Sequence, residues 1–390
     1  MSTKKTKILV MIDWYLPGFR AGGPIRSVAN LVDGLGERFD FSIVTSDTDY
    51  GASEPYAGIE PDTWIERGPD YRVWYCSRDH RGYRHFRRII METDYDVLYL
   101  NSMFSLRYTI YPLWNSRSMK PEKPVVLAPR GMLHAGALAI KQRKKTWFLR
   151  GIKAIGAHKE IRFQATDAQE VADVHAVFGT QVDVVEAPNL PRWDLPAFQT
   201  RDKSPGQLRL IFLSRISVKK GVHLLLAALR EQTAEIVLDL YGPDEEPGYW
   251  EQCREIISEL PDHVRVKKCD PVRPEAIPQL VQAYHAFAMP TAGENFGHAI
   301  FEALAAGRPV ILSDQHPWEG LEVAEAGYSV PLNDSVRYAA AISEMAAMDE
   351  GQFTRWMQGA RQYAERYLHE NEFVDRYLSL FRDFVVADPE

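Results

Sequence analysis

The 390 residues are 45% hydrophobic and 25% charged, with a net charge of −7. That balance belongs to a globular chain of two or three domains and excludes a mainly disordered, collagenous or disulfide-stapled protein. The mean charge conceals an uneven spread. Residues 1–190 hold 26 Lys+Arg against 22 Asp+Glu, which leaves 20 against 31 for the remainder. Residues 101–165 hold 13 basic residues and only two acidic ones, Glu122 and Glu160. A segment of net +11 implies an anionic partner. The three cysteines, Cys76, Cys253 and Cys269, are far apart and form no C-x-x-C, so neither a disulfide framework nor a zinc site is expected. This usage fits a reducing, cytoplasmic compartment.

In chain order, the first apolar run, Ile8–Ile12, stops at Asp13 and is too short for a signal peptide. The loop that follows carries Gly22, Gly23 and Pro24 before a helical pattern to Leu35. Free amides at such a helix start would welcome a phosphate, although the dinucleotide and Walker spacings are absent. A plain strand-to-helix turn is the alternative. Further strands are expected at Phe41–Val44, Arg72–Tyr75, Val97–Leu100, Val125–Ala128, Arg162–Ala165 and Val184–Glu186. Val97–Ser116 is the best membrane-span candidate, but Asn101, Arg107, Pro112 and Asn115 make it a buried strand with a loop.

The basic stretch, residues 141–155, mixes cations with Trp147, Phe148, Leu149, Ile152 and Ile155 at helical spacing. It reads as an amphipathic helix that either lies on an anionic membrane surface or packs on the sheet with solvated cations. No nucleic-acid motif accompanies it.

Pro188–Gly206 has no hydrophobic period and reads as a linker, taken as residues 189–206 between a domain of residues 1–188 and one of residues 207–368. Strands resume at Leu208–Leu213, Ile236–Tyr241, Val264–Lys267, Ala286–Met289, Val310–Leu312 and Tyr328–Val330. Helices are expected at Gly221–Glu231, Tyr249–Leu260 and, at the end of the chain, His369–Phe384 in the segment 369–390. Continuous apolar strands alternating with helices imply an α/β architecture of two doubly wound, Rossmann-like domains facing across a cleft. Ligands of such sheets sit beyond the carboxyl ends of the strands.

Two motifs carry chemistry in the second half. Arg215 and Lys220 bracket the loop after the strand Leu208–Leu213. Two fixed cations near a helix start suit a diphosphate, and solvated loop cations are the alternative. The stretch Pro290–Asp314 runs strand, loop, helix, break and strand. It places Glu294 in the loop and Glu302 two turns along the helix, with free amides near Asn295, Phe296 and Gly297. Paired carboxylates of this kind suit vicinal hydroxyls; a dipole-capping Glu294 and a surface Glu302 are the alternative.

These residues resemble the retaining glycosyltransferases of family 4, which have the GT-B fold. The family pattern G-R-x-x-x-x-K-G is similar to the segment holding Arg215, Lys220 and Gly221. The pattern around its second site is matched by Pro290, Glu294, Phe296, Gly297, Glu302, Ala303, Gly307, Pro309 and Asp314. His316-Pro317-Trp318, Ala165-Thr166-Asp167 and Pro188-Asn189 resemble further family segments. The resemblance implies a glycosyltransferase that moves a hexose from a UDP- or GDP-sugar to a glycan or lipid-linked acceptor. It implies that Arg215 and Lys220 hold the diphosphate, Glu294 the sugar hydroxyls and Glu302 the ribose. Asn295, Phe296 and Gly297 would help with phosphate or sugar, the Gly22–Gly23 loop would approach the phosphates, and the last segment would return to the first domain.

The chain departs from the family where a histidine is often placed near the reacting carbon. Arg130 stands there, with His134 four residues on. Arginine cannot act as a base but can stabilise charge, so catalysis, plain anion binding and, for His134, a structural role are all open. The triplets Asp47-Thr48-Asp49 and Asp94-Tyr95-Asp96 read D-x-D, a metal-site pattern of another glycosyltransferase fold. They lie away from the donor motif, so no metal and no cofactor is expected. The implied role is bacterial polysaccharide or glycolipid assembly, cytoplasmic or peripheral at the inner face of the plasma membrane. An epimerase or phosphorylase on the same scaffold and a non-catalytic nucleotide-sugar binder are the rivals.

Overall fold

The computed structural model describes residues 5–119, 122–139, 142–370 and 372–382. The chain divides into two compact units, Met1–Leu190 with Glu372–Glu390, and Pro191–Asn371.

The first unit is built on eight strands: β1 (Thr6–Met11), β2 (Phe39–Ser46), β3 (Trp64–Gly68), β4 (Tyr71–Cys76), β5 (Val97–Leu100), β6 (Val125–Leu127), β7 (Ile161–Ala165) and β8 (Asp183–Glu186). Their spatial order is β3-β4-β2-β1-β5-β6-β7-β8. Every pair is parallel except β3 with β4. Ile8 of β1 pairs with Phe41 on one side and Val97 on the other. All four residues of β5 are buried, the mark of a parallel strand covered on both faces. The strand order reverses at β1, so the loops after β1 and β5 stand at this sheet's switch point.

The edge strand β3 is the one the apolar runs do not predict. None of its five residues is buried. It is held instead by Trp64 packed edge-on against Trp74 at 5.4 Å and by the Arg72 guanidinium 4.4 Å from the Trp64 ring.

The segment expected as one helix from His369 is divided. His369 lies in the helix Glu350–Glu370, and Phe373–Phe381 forms a separate helix; Phe384 lies outside the described residues. The latter helix packs on the first unit, with Phe381 against Phe39 at 5.4 Å and Tyr99 at 5.3 Å. Arg162 of β7 donates to the Ser379 carbonyl at 3.0 Å.

The second unit holds six parallel strands: β9 (Gln207–Leu213), β10 (Glu235–Tyr241), β11 (Val264–Cys269), β12 (Ala286–Met289), β13 (Val310–Ser313) and β14 (Gly327–Val330). Their order, β11-β10-β9-β12-β13-β14, is the doubly wound one, and it reverses between β9 and β12. β12 and β13 are buried along their whole lengths. The expected helices shorten to Val222–Ala228 and Tyr249–Ser258.

Residues 187–206 form no helix or strand. From Pro191 they belong to the second unit and are strapped to it. Gln282 donates to the Ala197 carbonyl at 2.8 Å, the fully buried Arg308 to that of Gln199 at 3.0 Å, and Lys203 to that of Ala346 at 2.7 Å. These bonds fasten an irregular, mostly exposed segment to the body of the second unit. Both units are α/β with Rossmann-like sheets, the pair of folds that defines GT-B.

Candidate active site

The switch point of the second sheet brings two loops together, Ser214–Gly221 after β9 and Pro290–Gly297 after β12. The Ala292 N–H donates to the Lys219 carbonyl at 2.7 Å, and the Glu294 N–H to the Gln315 carbonyl at 3.0 Å. The first loop is tied in turn to the loop after β10, with the Ile216 N–H on the Pro243 carbonyl at 2.8 Å. Gly221 makes this join sterically feasible. Its φ is +71°, and a Cβ there would come within 2.0 Å of the Pro290 carbonyl oxygen.

The charged residues read from the sequence meet here. The Lys220 ammonium is ion-paired with the Glu294 carboxylate, and their side chains are only 10% and 13% exposed. Arg215 is paired with Glu245. Thr291, fully buried, places its hydroxyl 3.3 Å from Glu294 Oε1 and accepts the Gly293 N–H at 3.2 Å. The Lys219 ammonium is lowered in pKa by burial first and by its neighbour Lys220 second. The loop thus concentrates cationic charge that Glu294 and Glu245 balance.

Glu302 lies on the helix His298–Ala305 and is buried, so it is not a surface glutamate. Gly297, at φ +76°, caps that helix without a side chain, which leaves its first amides available to an anion. Asn295 is half-buried beside it. Phe296 is buried among Trp318, Phe301 and Tyr367, and its carbonyl accepts the Trp318 indole N–H at 2.7 Å. Its side chain therefore fixes the loop.

His316 was not singled out by spacing. Burial pushes its pKa down to about 4 against the pull of Asp314 and Glu294, so the ring is neutral. Its Nδ1 accepts the Trp318 N–H at 3.0 Å, and its Nε2 lies 3.3 Å from the Ser329 hydroxyl. Only its place in the H-P-W segment hinted at it.

In the first unit, Gly22 has φ +69°, and a Cβ on either Gly22 or Gly23 would meet nothing within 4 Å. Gly22 begins the helix Gly23–Leu35 with no side-chain cap. Asp13, two residues beyond β1, accepts the Ser105 hydroxyl at 2.8 Å, and burial raises its carboxyl pKa.

Arg130 and His134 part company. Arg130 sits at φ +56° and donates to the Tyr99 hydroxyl at 2.8 Å, to Asn101 Oδ1 at 2.7 Å and to Asn189. It brackets β5, the loop after it and the chain beyond β8. His134 is exposed and lies 3.2 Å from the Asp173 carboxylate.

The two D-x-D triplets are engaged in structural contacts. Asp47 pairs with Arg81, and Asp49 accepts the Phe19 N–H at 3.0 Å and the Tyr50 N–H at 2.7 Å. Asp94 pairs with Lys7, whose backbone N–H donates to Asp96 at 2.8 Å. Among the described residues, Asp62, His80 and His85 form a group of ligand-type side chains. Its two imidazoles are stacked 4.4 Å apart and 15° from parallel, an arrangement that does not aim their lone pairs at one point.

Residues 207–348 match the family model described as Glycosyl transferases group 1, so the resemblance read in the motifs holds for the second unit. A D-inositol 3-phosphate glycosyltransferase of Corynebacterium urealyticum is 32% identical over 183 residues, 43% of this chain and 42% of that protein. A phosphatidyl-myo-inositol mannosyltransferase of Mycobacterium leprae is 27% identical over 287 residues, 67% of each. The chain thus spans less than half the length of the first of these relatives. Among solved structures, a sucrose-phosphate synthase from Thermosynechococcus elongatus superposes with a TM-score of 0.69 at 17% identity, over 99% of this chain and 100% of that one. Anabaena Alr3699/HepE in complex with UDP and glucose gives 0.66 at 17% identity, over 96% and 99%. At such identities the likeness shows the fold.

Proposed function

We propose that the chain is a retaining, metal-independent glycosyltransferase that moves a hexose from a UDP- or GDP-sugar to a glycan or lipid-linked acceptor, in bacterial polysaccharide or glycolipid assembly. The observation that carries the reading is the Lys220–Glu294 ion pair at the switch point, with Arg215 on the same loop. A diphosphate is a stronger ligand for a lysine and an arginine than two carboxylates are, because it offers more charge and more acceptor oxygens. On arrival it draws Lys220 and Arg215 to itself. Glu294, released from Lys220, then accepts hydroxyls of the sugar, and Glu302 those of the ribose. The amides at Asn295–Gly297 and the start of the helix His298–Ala305 add positive potential.

The cations stabilise negative charge as it develops on the departing diphosphate, in a half-buried setting where such contacts are stronger than in water. The anomeric carbon–oxygen bond breaks toward the diphosphate, and the acceptor oxygen bonds to the same face of that carbon. The acceptor proton passes to a phosphate oxygen, so no enzymic nucleophile is required. The curated relatives named as inositol-phosphate and phosphatidyl-inositol transferases support a sugar-accepting alcohol, lipid-linked in one case.

The test is release of nucleoside diphosphate, measured in EDTA with and without an acceptor extract of bacterial lipids and glycans. Release that depends on acceptor and survives EDTA is expected. Full loss in EDTA restored by manganese refutes metal independence. Release without acceptor, or epimer formation, refutes transfer.

A further inference from the structure

The first unit carries an apolar cavity that the donor chemistry does not use. It has a volume of about 270 Å³ and is lined by residues of the turn and helix from Ile110 to Arg117 and of the helix Gln142–Ala154 with the turn after it. Leu113, Trp114, Trp147, Phe148, Ile152 and Ile155 form most of its wall. Three of them are far more exposed than such side chains usually are, Trp147 at 72%, Trp114 at 53% and Ile155 at 42%. Arg117 is the only charged side chain in the lining, and it is paired with Glu160 at 2.6 Å.

The same helix presents Arg143, Lys144, Arg150 and Lys153 to solvent, and residues 142–159 contain no acidic side chain. The Arg150 guanidinium lies 5.7 Å from the Trp147 ring. Lys141 lies outside the described residues.

We propose that this cavity holds one hydrocarbon chain of an anionic lipid, while the exposed cations of the helix meet the headgroup and the surrounding bilayer surface. A sugar, a nucleotide or a peptide backbone entering such a wall would lose hydrogen bonds to water and find none in return. A hydrocarbon chain has none to lose, and the indoles at the rim suit the boundary between chain and headgroup. The uniform positive charge selects an anionic lipid over a neutral one. One buried chain anchors a protein only marginally, but a chain together with a basic patch anchors it stably, and both are present within one helix and its neighbour. This adds a lipid site to the transferase reading and does not depend on it, since binding needs no sugar donor.

The full chain is mixed with phosphatidylcholine vesicles, with and without phosphatidylglycerol whose acyl chains are brominated. Sedimentation reports binding, and quenching of tryptophan fluorescence reports chain contact. Wild type is expected to sediment and be quenched only with the anionic lipid, more weakly as salt rises. Gly151→Phe fills the cavity from a helix position where a Cβ meets nothing within 4 Å. It should lose affinity by at least about tenfold, together with the quenching. Lys144→Glu with Arg150→Glu should weaken vesicle binding while brominated lysophosphatidylglycerol monomers still quench. Should Gly151→Phe fail to fold, the surface change Trp147→Ala with Ile155→Ser is expected to give the same loss. Wild type that ignores anionic vesicles, or cavity variants that bind and are quenched as wild type is, overturns the proposal.

Discussion

Lys220 and Glu294, 74 residues apart in the chain, meet as an ion pair at the carboxyl ends of β9 and β12. Each lies in the loop beyond its strand, and the reversal of strand order makes the two residues neighbours. Each balances the other's charge in a poorly solvated place, and each is the natural ligand of one half of a nucleotide sugar. The two halves of the pair therefore predict different defects. Lys220→Ala leaves a nearly buried carboxylate without its partner, and about 2–4 kcal/mol of stability in the second unit should go with it. Nucleoside diphosphate binding should weaken by at least about tenfold. Glu294→Gln keeps a polar side chain of the same size, so it should spare diphosphate affinity and lower kcat with the sugar donor. Calorimetric titration with the free diphosphate, beside a transfer assay, separates the two.

Gly221 predicts a purely steric defect. A methyl group there collides with the Pro290 carbonyl at 2.0 Å and also disfavours the φ of +71°. Gly221→Ala should cost about 2–3 kcal/mol or more and move the two loops apart. Thermal melting reads the first effect. Loss of donor binding out of proportion to loss of helix signal reads the second.

Arg130 predicts that structure and catalysis are hard to separate in the first unit. Removing its guanidinium strips donors from the Tyr99 hydroxyl, Asn101 and Asn189 at once. Arg130→Ala should lower the stability of the first unit by about 2–4 kcal/mol. His134→Ala, at an exposed pair with Asp173, should change stability by less than about 1 kcal/mol. Equal and large effects of both on melting would contradict this division.

The pH dependence follows from His285 and His316. His285 is buried; its Nδ1 accepts the Arg209 N–H at 2.9 Å and its Nε2 donates to the Asp202 carbonyl at 3.0 Å. Burial pushes its pKa down to about 4, from an ordinary 6.5. The unfolded chain therefore takes up a proton that the folded one refuses. The stability this neutral ring supports is fully present above about pH 6.5 and is lost as the pH falls toward 4, by about 3 kcal/mol for His285 alone. His316 adds to the loss in the same window. His285→Gln should flatten that slope in melts recorded from pH 7.5 to 4.5, although it costs some stability at the upper end. An unchanged slope would contradict the assignment.

The sheets were legible in the sequence because parallel strands covered on both faces must be runs of apolar residues, as in Val97–Leu100 and Val310–Ser313. Strand β3 was not, because an edge strand held by Trp64 and Arg72 carries no such run. Arg215, Lys220, Glu294 and Glu302 stood out by charge and spacing, and Glu302 proved to be buried. What spacing could not show is pairing. That Lys220 is held by Glu294, and Arg215 by Glu245, depends on strand order. His316 and Thr291 did not stand out by charge or spacing, because their surroundings come from residues distant in the chain. Arg130 and His134 were both candidates four residues apart, yet the left-handed turn at Arg130 sends one into a polar network and leaves the other at the surface. The basic helix Gln142–Ala154 was visible, but the cavity beside it was not, since four of its ten lining residues come before Ser118.

The most direct measurement is a thermal-shift panel of UDP-, GDP- and ADP-sugars on wild type, Lys220→Ala and Glu294→Gln, because a ligand raises the melting temperature only as far as it occupies the folded site. At least one of these sugars should raise the melting temperature of the wild type. The same sugar should raise that of Lys220→Ala much less, and Glu294→Gln should still respond to the matching free diphosphate. A wild type that none of the three stabilises, or a Lys220→Ala that responds as wild type does, would contradict the assignment of this switch point as a nucleotide-sugar site.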